Sequence, residues 1–406
     1  MPLSPDLLAG LRADAAAQLP EIVALRRDLH RSPEIGLDLP TTQRLVLDAI
    51  APLGLEVQTG VGLSSVVAVL RGGLPGPAVL LRGDMDALPV TEDSGEPFAS
   101  ERPGTMHACG HDLHVAGLVG AARLLAARRA AIAGDVVFMF QPGEEGDHGA
   151  RLMIEEGVLD AAGSRVVAAY GLHVLSAMLP AGLVLARAGT MLAAADTVVV
   201  TVQGRGGHGS MPHLAADPVP VAAEIVLALQ AMVTRQFDAF DPVVVTVGKI
   251  EAGTAENVIP SVATLYATVR TFSEAVHAIV PSRIERLCEG IAAAHGLTVT
   301  VDYRRGYPVT SNTAGEVDRA AGVVRGLFGD EAFLTAAQPI SGSEDFSYVL
   351  REVPGAYLGL GATPVGDDPS TAAYNHSAQA RFAEEALAVG PAVLAGLALD
   401  RLASGS

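Results

Sequence analysis

The run Pro77-Ala78-Val79-Leu80-Leu81 has no polar face, so as a strand it has to be covered on both sides. That requirement selects a sheet with helices on its two faces, and the surrounding rhythm agrees. Helical patterns cover Leu7 to His30, ending before Pro33, and Thr41 to Asp48, with Gly54 at a natural C-terminal position. Strand patterns follow at Ser65 to Leu70 and at the apolar run itself. A helix is then expected over Val115–Ile132, a strand over Asp135–Phe140, a helix over Ala150–Gly157 and a strand over Val166–His173. In such α/β sheets functional groups collect where strands end, and Asp84, Asp86, Glu144, Glu145 and His173 all fall there.

From Ala194 the rhythm changes. Strands at Thr197–Gln203, Pro242–Lys249, Ala263–Arg270 and Leu297–Tyr303 alternate with helices at Pro218–Arg235 and Ala275–His295. The order β-α-β-β-α-β is that of a complete ferredoxin-like unit. It is inserted, because helix (Glu316–Gly329), strand (Gly355–Gly361) and a closing helix (Ala378–Ala403) resume the α/β pattern. The expected boundaries are 1–189 and 307–406 for the two parts of the main domain, and 190–306 for the insert.

The 406 residues are half hydrophobic with a net charge of -18, a globular composition with no basic surface for nucleic acid. Only Cys109 and Cys288 are present, too few for a disulfide framework, and Cys288 sits in a helical pattern as a small core residue. The N-terminus lacks a basic region followed by an apolar core. Val166 to Ala186 carries no charged residue, but His173, Pro180, Gly171 and Gly182 suit strand and turn better than a membrane span. A cytoplasmic protein with no membrane partner is expected.

Two stretches carry chemistry. Met106-His107-Ala108-Cys109-Gly110-His111-Asp112-Leu113-His114 packs three imidazoles, a thiol and a carboxylate into nine residues, a density of potential metal ligands. Glu144-Glu145 places two carboxylates on a strand-end loop. Neighbours in extended chain point opposite ways, so one can hold a metal while the other faces a water as general base.

With these pieces the chain resembles the amidohydrolase branch of the aminoacylase/carboxypeptidase G metallopeptidase family, which includes hippurate hydrolases and indole-acetyl-amino-acid hydrolases. The matching blocks are Leu81 to Pro89, Met106 to His114, Phe140 to Gly146, Tyr170 to His173, Gly204 to His213, Asn257 to Pro260, Gly342 to Phe346 and Asn375 to Ser377. They occur in the family's order across almost the whole chain. The segment Ser377 to Phe382 lacks the proline and acid associated with this branch.

The resemblance implies a metallopeptidase-type catalytic domain with a central mixed sheet flanked by helices, and an inserted ferredoxin-like domain acting as lid and dimerisation surface. It implies two divalent metals per subunit (Mn, Zn, Co or Ni) held by Cys109, His111, Glu145, His173 and His376. Glu144 is then the general base acting on metal-bound water, and Asp86 orients a ligand from behind. His208 is expected to stabilise the oxyanion from a partner subunit. Asn257, Arg270 and Gly342 are expected to bind substrate, Arg270 as a clamp on a free carboxylate. His114 is expected to serve helix packing, and His107 is left without a role. The implied reaction is hydrolysis of N-acyl amino acids to a carboxylic acid and a free amino acid, by a homodimer or possible homotetramer.

The alternative within this chemistry is a dipeptidase or aminobenzoyl-glutamate-type hydrolase. A thiol hydrolase using Cys109 as nucleophile would be indifferent to chelators. A non-catalytic amino-acid-binding protein on the same fold would have no need of a water-activating base such as Glu144.

Overall fold

A computed structural model describes residues 3–404. By density of contacts the chain divides into two compact units. One comprises the segments up to Met191, Ser311–Gln338 and from Asp345 onward; the other comprises Leu192–Thr310 with Pro339–Glu344.

The first unit opens with α1 (Pro5–Arg31), capped by the Ser4 hydroxyl, and α2 (Pro40–Ile50). Then come β1 (Glu56–Thr59), β2 (Val66–Arg71) and β3 (Leu74–Asp84), whose last seven residues are all buried, as a strand without a polar face requires. They are followed by α3 (His111–Ala126), β4 (Ala133–Gln141), α4 (Gly149–Glu155), β5 (Ala168–Pro180), β6 (Val184–Ala186) and β7 (Gly189–Leu192).

The second unit contributes β8 (Ala194–Gln203), β9 (Gly207–His208), α5 (Pro218–Gln236), β10 (Val243–Ala252) and β11 (Val258–Ile259). It ends with β12 (Val262–Thr271), α6 (Glu274–Ala294) and β13 (Thr298–Tyr307). The chain then passes through β14 (Thr310–Asn312) to α7 (Ala314–Phe328), β15 (Phe333–Thr335), α8 (Ser347–Glu352), β16 (Gly355–Thr363) and α9 (Ala386–Ala403).

The first unit is built on an eight-stranded sheet in the order β1-β2-β4-β3-β5-β16-β6-β15. The sheet is mixed: β3 runs parallel to β4 and β5, and β16 parallel to β5, while β1 and β2 are antiparallel additions. Apolar residues of α1, α3, α7 and α9 join those of the strands in one core. This is the α/β architecture with a central mixed sheet that the sequence implies.

The second unit has a four-stranded antiparallel sheet in the order β10-β12-β8-β13, with α5 and α6 and a core of its own that includes Cys288. Strict in-out alternation along β12 shows one covered face and one open one. The order and direction are those of a ferredoxin-like sheet.

Two helices begin well away from their expected starts. Helix α3 begins at His111 and not Val115, because Gly110 takes a left-handed conformation (φ 84°) and ends the loop before it. The final helix begins at Ala386 and not Ala378. Residues ahead of it are held in irregular chain by bonds from Ala383 N–H to Ala362 O and from Asp93 N–H to Ala378 O. Among the described residues two helices, α5 and α9, are long and apolar enough to cross a membrane by length and composition, and most of α9 is buried in the core. Residues 168–180 form a strand and not a membrane helix.

Candidate metal centre

Four connections at strand ends of the first unit bring the chemistry together. Strand β3 empties into Met85-Asp86, β4 into Glu144-Glu145, β5 carries His173, and the loop after β16 carries Asn375-His376. Cys109 arrives from the loop ahead of α3, and His111 is the first residue of that helix. Gly110 between them has no room for a side chain, since a Cβ there would lie 2.4 Å from Val174 Cγ2. A larger residue would push the loop off β5.

Cys109 Sγ lies 3.3 Å from His173 Nε2 and 3.2 Å from His376 Nε2. Glu145 Oε1 lies 3.2 Å from His376 Nε2 and 3.9 Å from His111 Nε2. Ligand atoms of Cys109, His111 and His173 fall within one small sphere, as do those of Cys109, Glu145 and His376, and of His111, Glu144 and Glu145. All five expected metal ligands and the expected base therefore share one cluster.

The imidazoles are aimed by their second nitrogens. His111 Nδ1–H donates to Asp86 O at 2.8 Å, and His173 Nδ1–H donates to Val174 O at 2.8 Å. Each bond turns Nε2 toward the cluster, the usual way a ligating histidine is oriented. Asp86 does more than back one ligand. Its two carboxylate oxygens each accept a backbone N–H at 2.9 Å, one from Glu144 and one from Glu145. One side chain thus fixes the whole Glu-Glu turn.

Behind this layer lies a buried ionic network that motif spacing did not reveal. Arg82 donates to Asp84 at 2.6 Å, to Gln141 at 2.8 Å and to Asp345 at 3.1 Å. His114, expected to serve packing, is a bridge instead. Val174 N–H donates to its Nε2 at 2.9 Å, which leaves the proton on Nδ1 for Asp84 Oδ1 at 2.5 Å. His107 is buried with no hydrogen bond at either ring nitrogen, and burial pushes it down to about 3, so it is a neutral neighbour of the ligand loop.

His376 sits at φ 73°, a left-handed conformation unusual for a side chain with a Cβ and costing on the order of 1 kcal/mol or more. The next-door Asn375 holds it there. Its amide donates to Cys109 O at 3.0 Å and Val174 O at 2.9 Å, and its oxygen accepts from Ser176 N–H at 3.0 Å.

The electrostatics are those of a crowded ligand set. Burial raises the Cys109 thiol, against the pull of His111. Burial also opposes protonation of His111, but the Asp84 carboxylate and Cys109 outweigh it and hold the ring well above its usual range. Burial, then the neighbouring His114, pushes His173 down to about 3. Contacts with Cys109 and Glu145 raise His376 to about 10. His111 Nε2 is buried without a hydrogen-bond partner. Sulfur, nitrogen and carboxylate donors whose ligand atoms lie this close together fit divalent ions.

The remaining expected residues lie on the second unit. His208 is exposed on the ribbon formed by β9 and β11, opposite Val258, and Gly209 N–H donates to Asn257 O at 2.8 Å. His208 and exposed Asn257 are therefore adjacent. Arg270 pairs across the sheet with Ala195, and Gly342 O accepts from Ala193 N–H, so both flank the start of β8. The Arg270 guanidinium bonds Thr268 Oγ1 at 2.6 Å and Val269 O at 3.1 Å, and burial lowers it.

The chain is similar to known proteins over nearly its whole length. The Peptidase family M20/M25/M40 profile matches residues 80–400. Thermostable carboxypeptidase 2 of Saccharolobus solfataricus is 36% identical over 97% of this chain and 98% of its own length. IAA-amino acid hydrolase ILR1-like 2 of Arabidopsis thaliana is 39% identical over 95% of this chain and 87% of its own. Hippurate hydrolase of Campylobacter jejuni is 35% identical over 94% and 97%.

A solved structure from methicillin resistant Staphylococcus aureus superposes with a TM-score of 0.90 at 32% identity, covering 97% of this chain and 99% of that one. The Bacillus subtilis YXEP protein, described as a dinuclear metal binding peptidase from the M20 family, superposes at 0.82 with 32% identity, covering 96% and 99%. With a cysteine, histidine and carboxylate cluster at its strand ends and relatives matched over nearly its full length, the chain belongs to Peptidase family M20/M25/M40 and is a metal-dependent hydrolase of amide bonds.

Proposed function

We propose that the protein hydrolyses the amide bond of N-acyl amino acids, releasing a carboxylic acid and a free amino acid. The observation that carries this reading is the single cluster in which Asp86 clamps Glu144 and Glu145 beside Cys109, His111, His173 and His376. Names of relatives supply the substrate class: indole-acetyl-amino-acid and hippurate hydrolases both act on acylated amino acids.

Cys109, His111, Glu145, His173 and His376 would hold two divalent ions. Cys109 belongs to two of the three-residue groups that could hold an ion. When bound, the metals polarise the scissile carbonyl and make the attacking water more acidic. Glu144 takes the proton from that water and returns it to the leaving amine. Its main chain, fixed by Asp86, keeps the carboxylate in place while it does so. His208 donates to the developing oxyanion and comes from a partner subunit paired through the inserted domain, residues 190–306. Asn257, Arg270 and Gly342 receive the polar end of the substrate, Arg270 by pairing with its free carboxylate. Manganese, zinc, cobalt and nickel all suit the mixed donor set. A cytoplasmic location accords with two free, buried thiols.

The test is a panel of N-acetyl, N-benzoyl and N-indoleacetyl amino acids set against unblocked dipeptides, each run after exhaustive chelation and with each metal restored. Turnover of the acylated amino acids is expected to vanish on chelation and return with metal. Faster hydrolysis of unblocked dipeptides would replace this reading with a dipeptidase.

A further inference from the structure

The His208 side chain rests on a turn whose hydrogen bonds decide which of its nitrogens carries the proton. Ser210 N lies 3.1 Å from His208 Nδ1, and Ser210 Oγ lies 2.9 Å from the same atom. A backbone N–H can only donate, so Nδ1 has to accept. In the neutral imidazole the proton is then on Nε2. The hydroxyl can rotate to give a second bond to the same lone pair.

We propose that Ser210 is a positioning residue for His208, fixing the imidazole as the tautomer that presents Nε2–H outward. The proposal rests on the reading of His208 as the oxyanion donor, since that task needs a hydrogen aimed at developing negative charge. The opposite tautomer would turn a lone pair toward the oxyanion and repel it.

The turn itself is held firmly. Met211 N–H donates to His208 O at 2.8 Å, closing residues 208–211, and His208 pairs with Val258 in the two-stranded ribbon. Gly209 packs so closely on Asn257 that a Cβ would lie 3.1 Å from its carbonyl carbon and oxygen. A side chain at 209 would pry the ribbon apart. The ring is therefore oriented before any substrate arrives, although His208 itself is exposed.

The experiment uses the full-length, zinc-loaded enzyme labelled with ¹⁵N histidine. The His208 signals are assigned by their disappearance in His208→Gln. Nδ1 is expected to resonate as an unprotonated nitrogen and Nε2 as a protonated one above the titration range. The reverse pattern, or an averaged pair, overturns the proposal.

Ser210→Ala keeps the backbone donor and loses the hydroxyl. It is expected to lower kcat by about two- to tenfold, the weight of one ordinary hydrogen bond, with KM unchanged. Ser210→Thr restores the hydroxyl and should recover the rate. An unchanged kcat in Ser210→Ala, or a loss of thermal stability that accounts for the drop, refutes the role of the hydroxyl. Wild-type kcat in His208→Gln would instead defeat the oxyanion reading, while the nitrogen spectrum still decides the tautomer.

Discussion

Glu144 and Glu145 are neighbours held by the same Asp86 carboxylate, yet the proposed chemistry gives them different tasks, and that difference is measurable. Glu144→Gln keeps the size of the side chain and removes the base. Metal content should persist while kcat falls by roughly two or more orders of magnitude. Glu145→Ala should instead lose metal, read by elemental analysis of the purified variant. Equal metal loss in both would mean that the two roles are wrongly assigned. The sequence made both glutamates conspicuous by their adjacency at a strand end. It did not disclose His114, because that ring's partners are Asp84 on β3 and a backbone N–H on β5. Such a bridge depends on how two strands lie side by side, which residue spacing within one helix cannot encode. In the sequence Asn375 stands out only as part of a motif. Its work of holding His376 at positive φ is visible once its partners on two other segments are seen.

At the level of elements, the inserted sheet carries an ionic latch. His277 on α6 meets Asp196 on β8 at 2.9 Å, Tyr303 on β13 donates to the same carboxylate at 2.6 Å, and Gly306 N–H donates to its other oxygen at 2.9 Å. The bonds to Asp196 and then Glu274, set against burial, raise His277 to about 9 from its usual 6.5. A raised value means that the folded state binds the proton more tightly than the unfolded chain. The stabilisation is therefore full below about pH 6.5 and fades as pH rises through about 9. Urea melts of the full-length protein between pH 6 and pH 10 should show this loss, and His277→Gln should flatten it. A wild-type slope in that variant would sink the assignment.

The strand and helix types of this unit were legible because period-2 and helical patterns are strong in a sheet with one covered face. The latch was not, since His277, Asp196 and Tyr303 come from three separate elements. Likewise α3 starts four residues ahead of its apolar pattern, because His111, Asp112 and His114 occupy its first turn and mask that pattern.

For the molecule as a whole, His208 belongs to the inserted unit, and the proposed function has a second subunit supply it. Coexpressed His208→Ala and Glu144→Gln chains, each inactive alone, should then regenerate activity. By random pairing about a quarter of all sites would hold both an intact base and an intact donated imidazole. Verified mixed dimers without activity would show that the donation does not occur. A different consequence follows from where β16 lies, between β5 and β6 in the sheet although the entire insert separates it from them along the chain. On the ribosome, Cys109, His111, Glu145 and His173 emerge first, and β5 then waits with one edge open, a ready template for wrong pairing. The insert, with a core of its own, can close during that delay, which lasts on the order of ten seconds. Only after the insert does synthesis deliver the missing strand and, just behind it, His376. Closing the sheet and completing the proposed ligand set are thus a single late event, so a nascent chain cannot assemble that set before its main domain is sealed.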